Sequence, residues 1–95
     1  MESTHFILEF DKLITRLAGY DFGKEIFEKQ IENKVDFSKE VIIEFPEQII
    51  KIASSFVQGF FEKIIDEVGF DGMGKQVKIV TGSDELTASI FGNLI

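Results

Sequence analysis

Three apolar runs too short to be helices alternate along this chain with stretches whose apolar residues recur at helical period. That alternation restricts the fold more than any other feature. The runs are residues 5–10 (HFILEF), 41–45 (VIIEF) and 77–80 (VKIV). Each is rich in β-branched or aromatic side chains and is ended by a polar or turn residue, the signature of a short strand buried on at least one face. Pro46 closes the second run.

The clearest helical stretch is residues 56–68. There Phe56, Val57, Phe60, Phe61, Ile64, Ile65 and Val68 form one broad apolar stripe, with Gln58, Glu62, Lys63, Asp66 and Glu67 off it. Ser55 followed three residues later by Gln58 matches a capping box, and Gly69 is a natural stop. An earlier helix covers residues 22–33, with Phe22, Ile26, Phe27 and Ile31 on one side. Asp21 and Thr15 both qualify as its cap, although a start near Arg16 has to tolerate Gly19 and Gly23 at about 1 kcal/mol each. A last helix follows Gly82, with Ser83 as cap, Asp84 and Glu85 in the first turn, and Leu86, Ile90, Phe91 and Leu94 at helical spacing.

Strand, helix, strand, helix, strand, helix predicts an α/β fold: a small, mostly parallel sheet with right-handed crossover helices, in two or three layers. At 95 residues the chain holds one domain, spanning 1–95. Its eleven Phe against one Tyr and no Trp read as core filler, since a phenyl ring has no polar handle. Gly59, set among those rings, reads as a point of close approach to another backbone. With no Cys there is no disulfide framework, thiolate metal site or cysteine nucleophile. Seventeen acidic residues against ten basic ones give a net charge of −7, and the positive charges are scattered singly. Binding to nucleic acid or to an anionic membrane surface is therefore disfavoured. No targeting signal or bilayer-spanning run is evident, so the expectation is a soluble, cytoplasmic protein without a cofactor.

In a parallel sheet all strand carboxyl ends lie on one edge, and each following helix starts there. Three segments are thereby expected at that edge: Thr15–Arg16, Ser54–Ser55 and Thr81–Gly82–Ser83. Each brings hydroxyls near a helix N-terminus, and Arg16 is the chain's one arginine. Free N–H groups and partial positive charge suit such an edge to an anion or a phosphorylated hydroxyl. The plainer reading is that these Ser and Thr residues are caps, each contributing about 1 kcal/mol.

The stretch 41–69 (VIIEFPEQIIKIASSFVQGFFEKIIDEVG) resembles the STAS-like domain family of unknown function, a relative of the STAS domains of bacterial anti-sigma factor antagonists. The matching parts are Glu44–Phe45 at a strand end, the apolar loop 49–52, and Ser55–Phe56 opening an amphipathic helix. The segment LITRLAG (13–19) is similar to the Thr-Arg element that opens the family's first helix, which favours a start at Thr15. The segment VKIVTGSDEL is similar to its last strand and helix. The resemblance implies a non-enzymatic regulatory interaction module of bacterial signalling. It also implies a protein partner, a histidine-kinase-like ATPase, that phosphorylates a serine at the start of the second major helix. By position that serine is Ser55, with Ser54 its neighbour. The antagonist motif Asp-Ser-Ser-Gly is altered here, with Ala53 before the serines and Phe56 after them.

Other constellations are weaker. His5 stands alone on a predicted strand and reads as a surface or half-buried strand residue, not a metal ligand. Asp11, Glu44 and Asp71 lack metal-ligand spacing. Residues 70–76 (FDGMGKQ) lack the full phosphate-loop pattern and read as a turn before a strand. The rival functions are a small-molecule or nucleotide-binding domain using the strand carboxyl edge, and an oligomerising subunit of a larger complex.

Overall fold

The computed structural model describes residues 3–94; Met1, Glu2 and Ile95 lie outside them. Eight elements follow in order: β1 (Ser3–Ile7), β2 (Arg16–Leu17), α1 (Tyr20–Gln30), β3 (Glu40–Glu44), β4 (Lys51–Ile52), α2 (Ser54–Lys75), β5 (Val77–Val80) and α3 (Asp84–Gly92). β1, β3 and β5 form an all-parallel sheet in the order β1-β3-β5, and β2 pairs β4 in a separate parallel ribbon. The fold is a small α/β domain with a parallel sheet and helical crossovers, as the alternation predicts.

The sheet is half covered. Leu8, Val41, Ile43, Phe45, Val77 and Ile79 are buried on one face, while His5, Ile7, Lys78 and Val80 are exposed on the other. The architecture is thus two layers: the helices cover the Val41, Ile43, Val77 and Ile79 side, while the open side mixes Glu40, Glu44 and Lys78 with Ile7, Ile42 and Val80. On the open face His5 Nε2 meets Glu44 Oε1 at 3.0 Å, across the β1–β3 register.

The covered face is filled by phenylalanine. Phe60 lies 5.9 Å from Phe27, 6.0 Å from Phe45, 5.9 Å from Phe56 and 4.8 Å from Phe61, centroid to centroid. Most of these pairs are tilted or edge-on, the arrangement that ring quadrupoles favour, while Phe56 and Phe60 stack. The core contains no buried polar or charged residue among those described. Phe70 is the exception to the filler reading, at 62 % exposed.

Four expectations are corrected. First, Thr15–Arg16 does not open a helix. Ile50 N–H donates to Thr15 O (2.8 Å) and Ala53 N–H to Leu17 O (2.8 Å), so residues 15–17 are held extended by the β3–α2 connection. α1 begins only after Gly19, whose φ of 103° is a conformation that glycine adopts without strain. Second, the N-cap of α2 is Ala53 and not Ser55, because β4 runs almost directly into the helix. Third, residues 70–76 are not a turn. The chain breaks at Gly69 (φ 74°, ψ 172°), where the sequence predicts a stop, but helix resumes at once and runs to Lys75. Fourth, β1 spans residues 3–7 and not 5–10, although Leu8 N–H still pairs with Glu44 O (2.9 Å). Beyond it the Gln30 amide takes both backbone groups of Glu9, which ends the strand.

Gly59 plays the role its position suggests. A Cβ there would overlap the Tyr20 carbonyl, and one on Gly23 would overlap the Phe56 carbonyl and lie 2.8 Å from Phe60 N. α1 and α2 therefore touch backbone to backbone at two glycines, one contributed by each helix.

Candidate functional site

The β2–β4 ribbon and the start of α2 make up the candidate site. Its position follows from two loop crossings. Gln48 Nε2 donates to the carbonyls of Asp11 (2.7 Å) and Ile14 (2.9 Å), tying the β3–β4 loop to the β1–β2 loop. With those loops fixed, Leu17 and Ile52 turn into the core, at 1 % and 4 % exposed. Their strand neighbours Arg16 and Lys51 consequently face solvent, directly opposite each other in the parallel register.

Two cations side by side are out of character for a chain of net charge −7. Like charges directly opposed across a strand pair are destabilising. Among the described residues neither Arg16 nor Lys51 has an ion-pair partner, although Lys24, Lys29, Lys39, Lys63 and Lys78 all do.

The ribbon leads into a helix start that is also electron-poor. α2 has no acidic residue in its first turn and no side-chain cap, since Ala53 has nothing to cap with. The first helical bond runs from Val57 N–H to Ala53 O (3.2 Å). The amides of Ser54, Ser55 and Phe56 have no acceptor among the described residues. Ser54 is exposed and Ser55 is half-buried.

The two serines are placed differently. Ser55 Oγ accepts the Gly19 N–H at 2.9 Å, holding the start of α1 against the start of α2. Ser54 makes no hydrogen bond through its side chain among the described residues. Ser83 is the cap the sequence predicts. Its Oγ accepts Leu86 N–H (3.1 Å), while Thr81 Oγ1 donates to Ser83 O (2.6 Å) and pairs with Thr87 Oγ1 (2.8 Å). The Thr81–Ser83 turn thus satisfies itself.

The expected meeting of three segments is realised in part. Thr15 and Arg16 lie beside β4, Ser54 and Ser55 follow it, and Ser83 shares with Lys51 and Ile52 a shallow crevice of about 270 Å³. What the sequence missed is Lys51, the cross-strand neighbour of Arg16. Neither β2 nor β4 is long enough for periodicity to reveal, so no local signal announces the pairing.

Elsewhere His5 is a surface strand residue, as expected, and no group of three or more His, Cys, Asp or Glu is placed to hold a metal ion among the described residues. No described helix is long and apolar enough to cross a membrane. No protein-family model matches the chain, and neither a curated protein nor a solved structure matches it.

Proposed function

We propose that this chain is a non-enzymatic regulatory interaction module, similar in kind to STAS-like domains, whose anion-responsive surface is formed by Arg16, Lys51 and the N-terminus of α2. The observation that supports the reading best is the unpaired Arg16–Lys51 couple placed next to three amides without acceptors. A phosphate on Ser54 would bring about −1.5 to −2 charges to that place, where the helix dipole, the free amides and both cations favour it. The same charge would repel an acidic partner surface and attract a basic one, which is the requirement for a switch.

The reading assigns the modified hydroxyl to Ser54. Ser55, the position the family resemblance implies, is occupied by the Gly19 amide, so a phosphate there requires α1 to detach at its start. In this proposal Ser55 is the structural serine and Ser54 the regulatory one. The partner would be a kinase of the histidine-kinase-like ATPase type, in bacterial signalling.

The small-molecule alternative is less well supported. Ligands of open α/β sheets bind where the strand order reverses, whereas β1-β3-β5 grows in one direction. The β3–β4 loop also comes close to the turn after β5, where a Cβ on Gly82 would meet Glu47 backbone atoms at 3.5 Å. Intact-mass and fragment-ion measurement of the protein from its native cell tests the proposal. Phosphate on Ser54 supports it. Phosphate confined to Ser55, or thermal stabilisation by free nucleotide with no phosphate on the chain, overturns it.

A further inference from the structure

The outer edge of β1 lies apart from the serines, at the free side of the three-stranded sheet. Strand alternation decides which backbone groups face it. Leu8 N–H points inward to Glu44 O, and the Glu9 groups point outward, donating to Gln30 Oε1 (2.9 Å) and accepting from Gln30 Nε2 (2.8 Å). Two residues back along the pleat, Ile7 faces outward as Glu9 does, and so does His5. Among the described residues their outward N–H and C=O groups have no partner.

The edge is open and chemically asymmetric. A crevice of about 540 Å³ runs along it, lined by His5 to Glu9 on the strand and by Lys29, Gln30 and Lys34 from the end of α1 and beyond. Lys34 is exposed with no ion-pair partner among the described residues, and Lys29 is held only by its helix neighbour Glu25. α1 sends Ile26 and Phe27 into the core shared with Val41 and Ile43, and its end brings the two lysines to the crevice. Ile7, 61 % exposed, lies on the other side. Gln30 already imitates one residue of an added strand.

We infer that β1 accepts an extended peptide from a partner protein as an additional strand. The peptide alternates acidic side chains toward Lys29 and Lys34 with apolar side chains beside Ile7. Backbone pairing supplies the affinity and the two lysines the selectivity, as in other cases of strand addition. Strand edges that are not meant to pair are blunted by proline, bulges or inward charges. Residues 3–7 have no Pro or Gly. Gln30 holds the backbone of Glu9, and the exposed Glu9 side chain falls on the Ile7 side of the strand, away from an acidic row facing the lysines.

The test is an ¹⁵N amide titration of the full chain with an N-acetylated, C-amidated heptapeptide alternating valine and glutamate. A peptide alternating valine and lysine is the control. The expected result is that the largest shifts fall on His5 and Ile7, with these amides gaining protection from exchange. Affinity should drop at least tenfold for the lysine peptide and for the Lys29→Glu/Lys34→Glu double variant. Ile7→Pro removes only an outward donor, so it should keep the thermal midpoint and lose binding. If Ile7→Pro fails to fold, the lysine double variant decides alone. Equal binding of both peptides, shifts confined to another surface, or no binding overturns the inference. So does a stable dimer whose β1 amides are already protected and do not yield to the peptide, since that result gives the edge to a second copy.

Discussion

Gly59 of α2 lies against the carbonyl of Tyr20 of α1 so closely that no side chain fits between them. Gly23 makes the reciprocal contact with the Phe56 carbonyl. The two contacts bring both helices near enough for Phe27 to meet Phe60 edge-on. Gly59→Ala and Gly23→Ala should therefore each cost about 2–4 kcal/mol, since the clash is with backbone and cannot be relieved by a rotamer change. Gly74→Ala is the contrast. It has open space around it in a helical segment and should stabilise by about 0.4–1 kcal/mol. Urea denaturation of the three variants checks both signs.

The neighbouring serines should separate cleanly. Ser55→Ala leaves the half-buried Gly19 N–H without an acceptor and should destabilise by about 1–2 kcal/mol. Ser54→Ala should stay within about 0.5 kcal/mol of the parent, because nothing in the fold depends on its hydroxyl. Equal effects in thermal melts would remove the basis for assigning them different roles.

The Arg16–Lys51 couple should cost stability where it serves binding. Lys51→Glu converts a like-charged cross-strand pair into an opposite one, and should raise stability by about 0.2–1 kcal/mol at low salt. The gain should shrink in high salt as screening removes the repulsion. A variant that is less stable at low salt would show that the two cations do not feel each other.

Stability should fall at the alkaline end through the α1–α2 seam. The Tyr20 phenol is raised above its ordinary pKa chiefly by donating to Glu62, and the Lys63 ammonium is raised chiefly by its hydrogen bond to Glu32. A group whose pKa is higher folded than unfolded contributes fully below the unfolded value, near 10 for both, and the contribution is lost as pH rises through the folded value. Urea midpoints should therefore decline above about pH 10, and less so in Tyr20→Phe. At the acid end, the Ser38 hydroxyl and amide lower the Asp36 carboxyl, so its contribution is lost as pH falls below the ordinary carboxylate range. Asp36→Asn should flatten that limb.

Phe60, fully buried among four other rings, should be the most sensitive core position. Phe60→Ala should cost about 3–5 kcal/mol, because the rings around it are held from α1, α2 and the β3 end and cannot close the cavity together.

The amino-acid sequence by itself determined the α/β class, the three principal strands, the stripe of α2, its break at Gly69 and the cap at Ser83. Each of these rests on a local cause, a repeating apolar pattern or a cap read within a few residues. It also marked Gly59, because a glycine among core rings has few other uses. The tertiary structure alone decided that residues 15–17 are strand and not helix. Their hydrogen bonds go to Ile50 and Ala53, more than thirty positions away, and a two-residue strand has no period to read. For the same reason only the folded chain sets Lys51 opposite Arg16, gives Ser55 to Gly19 and leaves Ser54 exposed. Long-range backbone pairing chose among local alternatives that the side chains left nearly equal, and the candidate site is built from those choices.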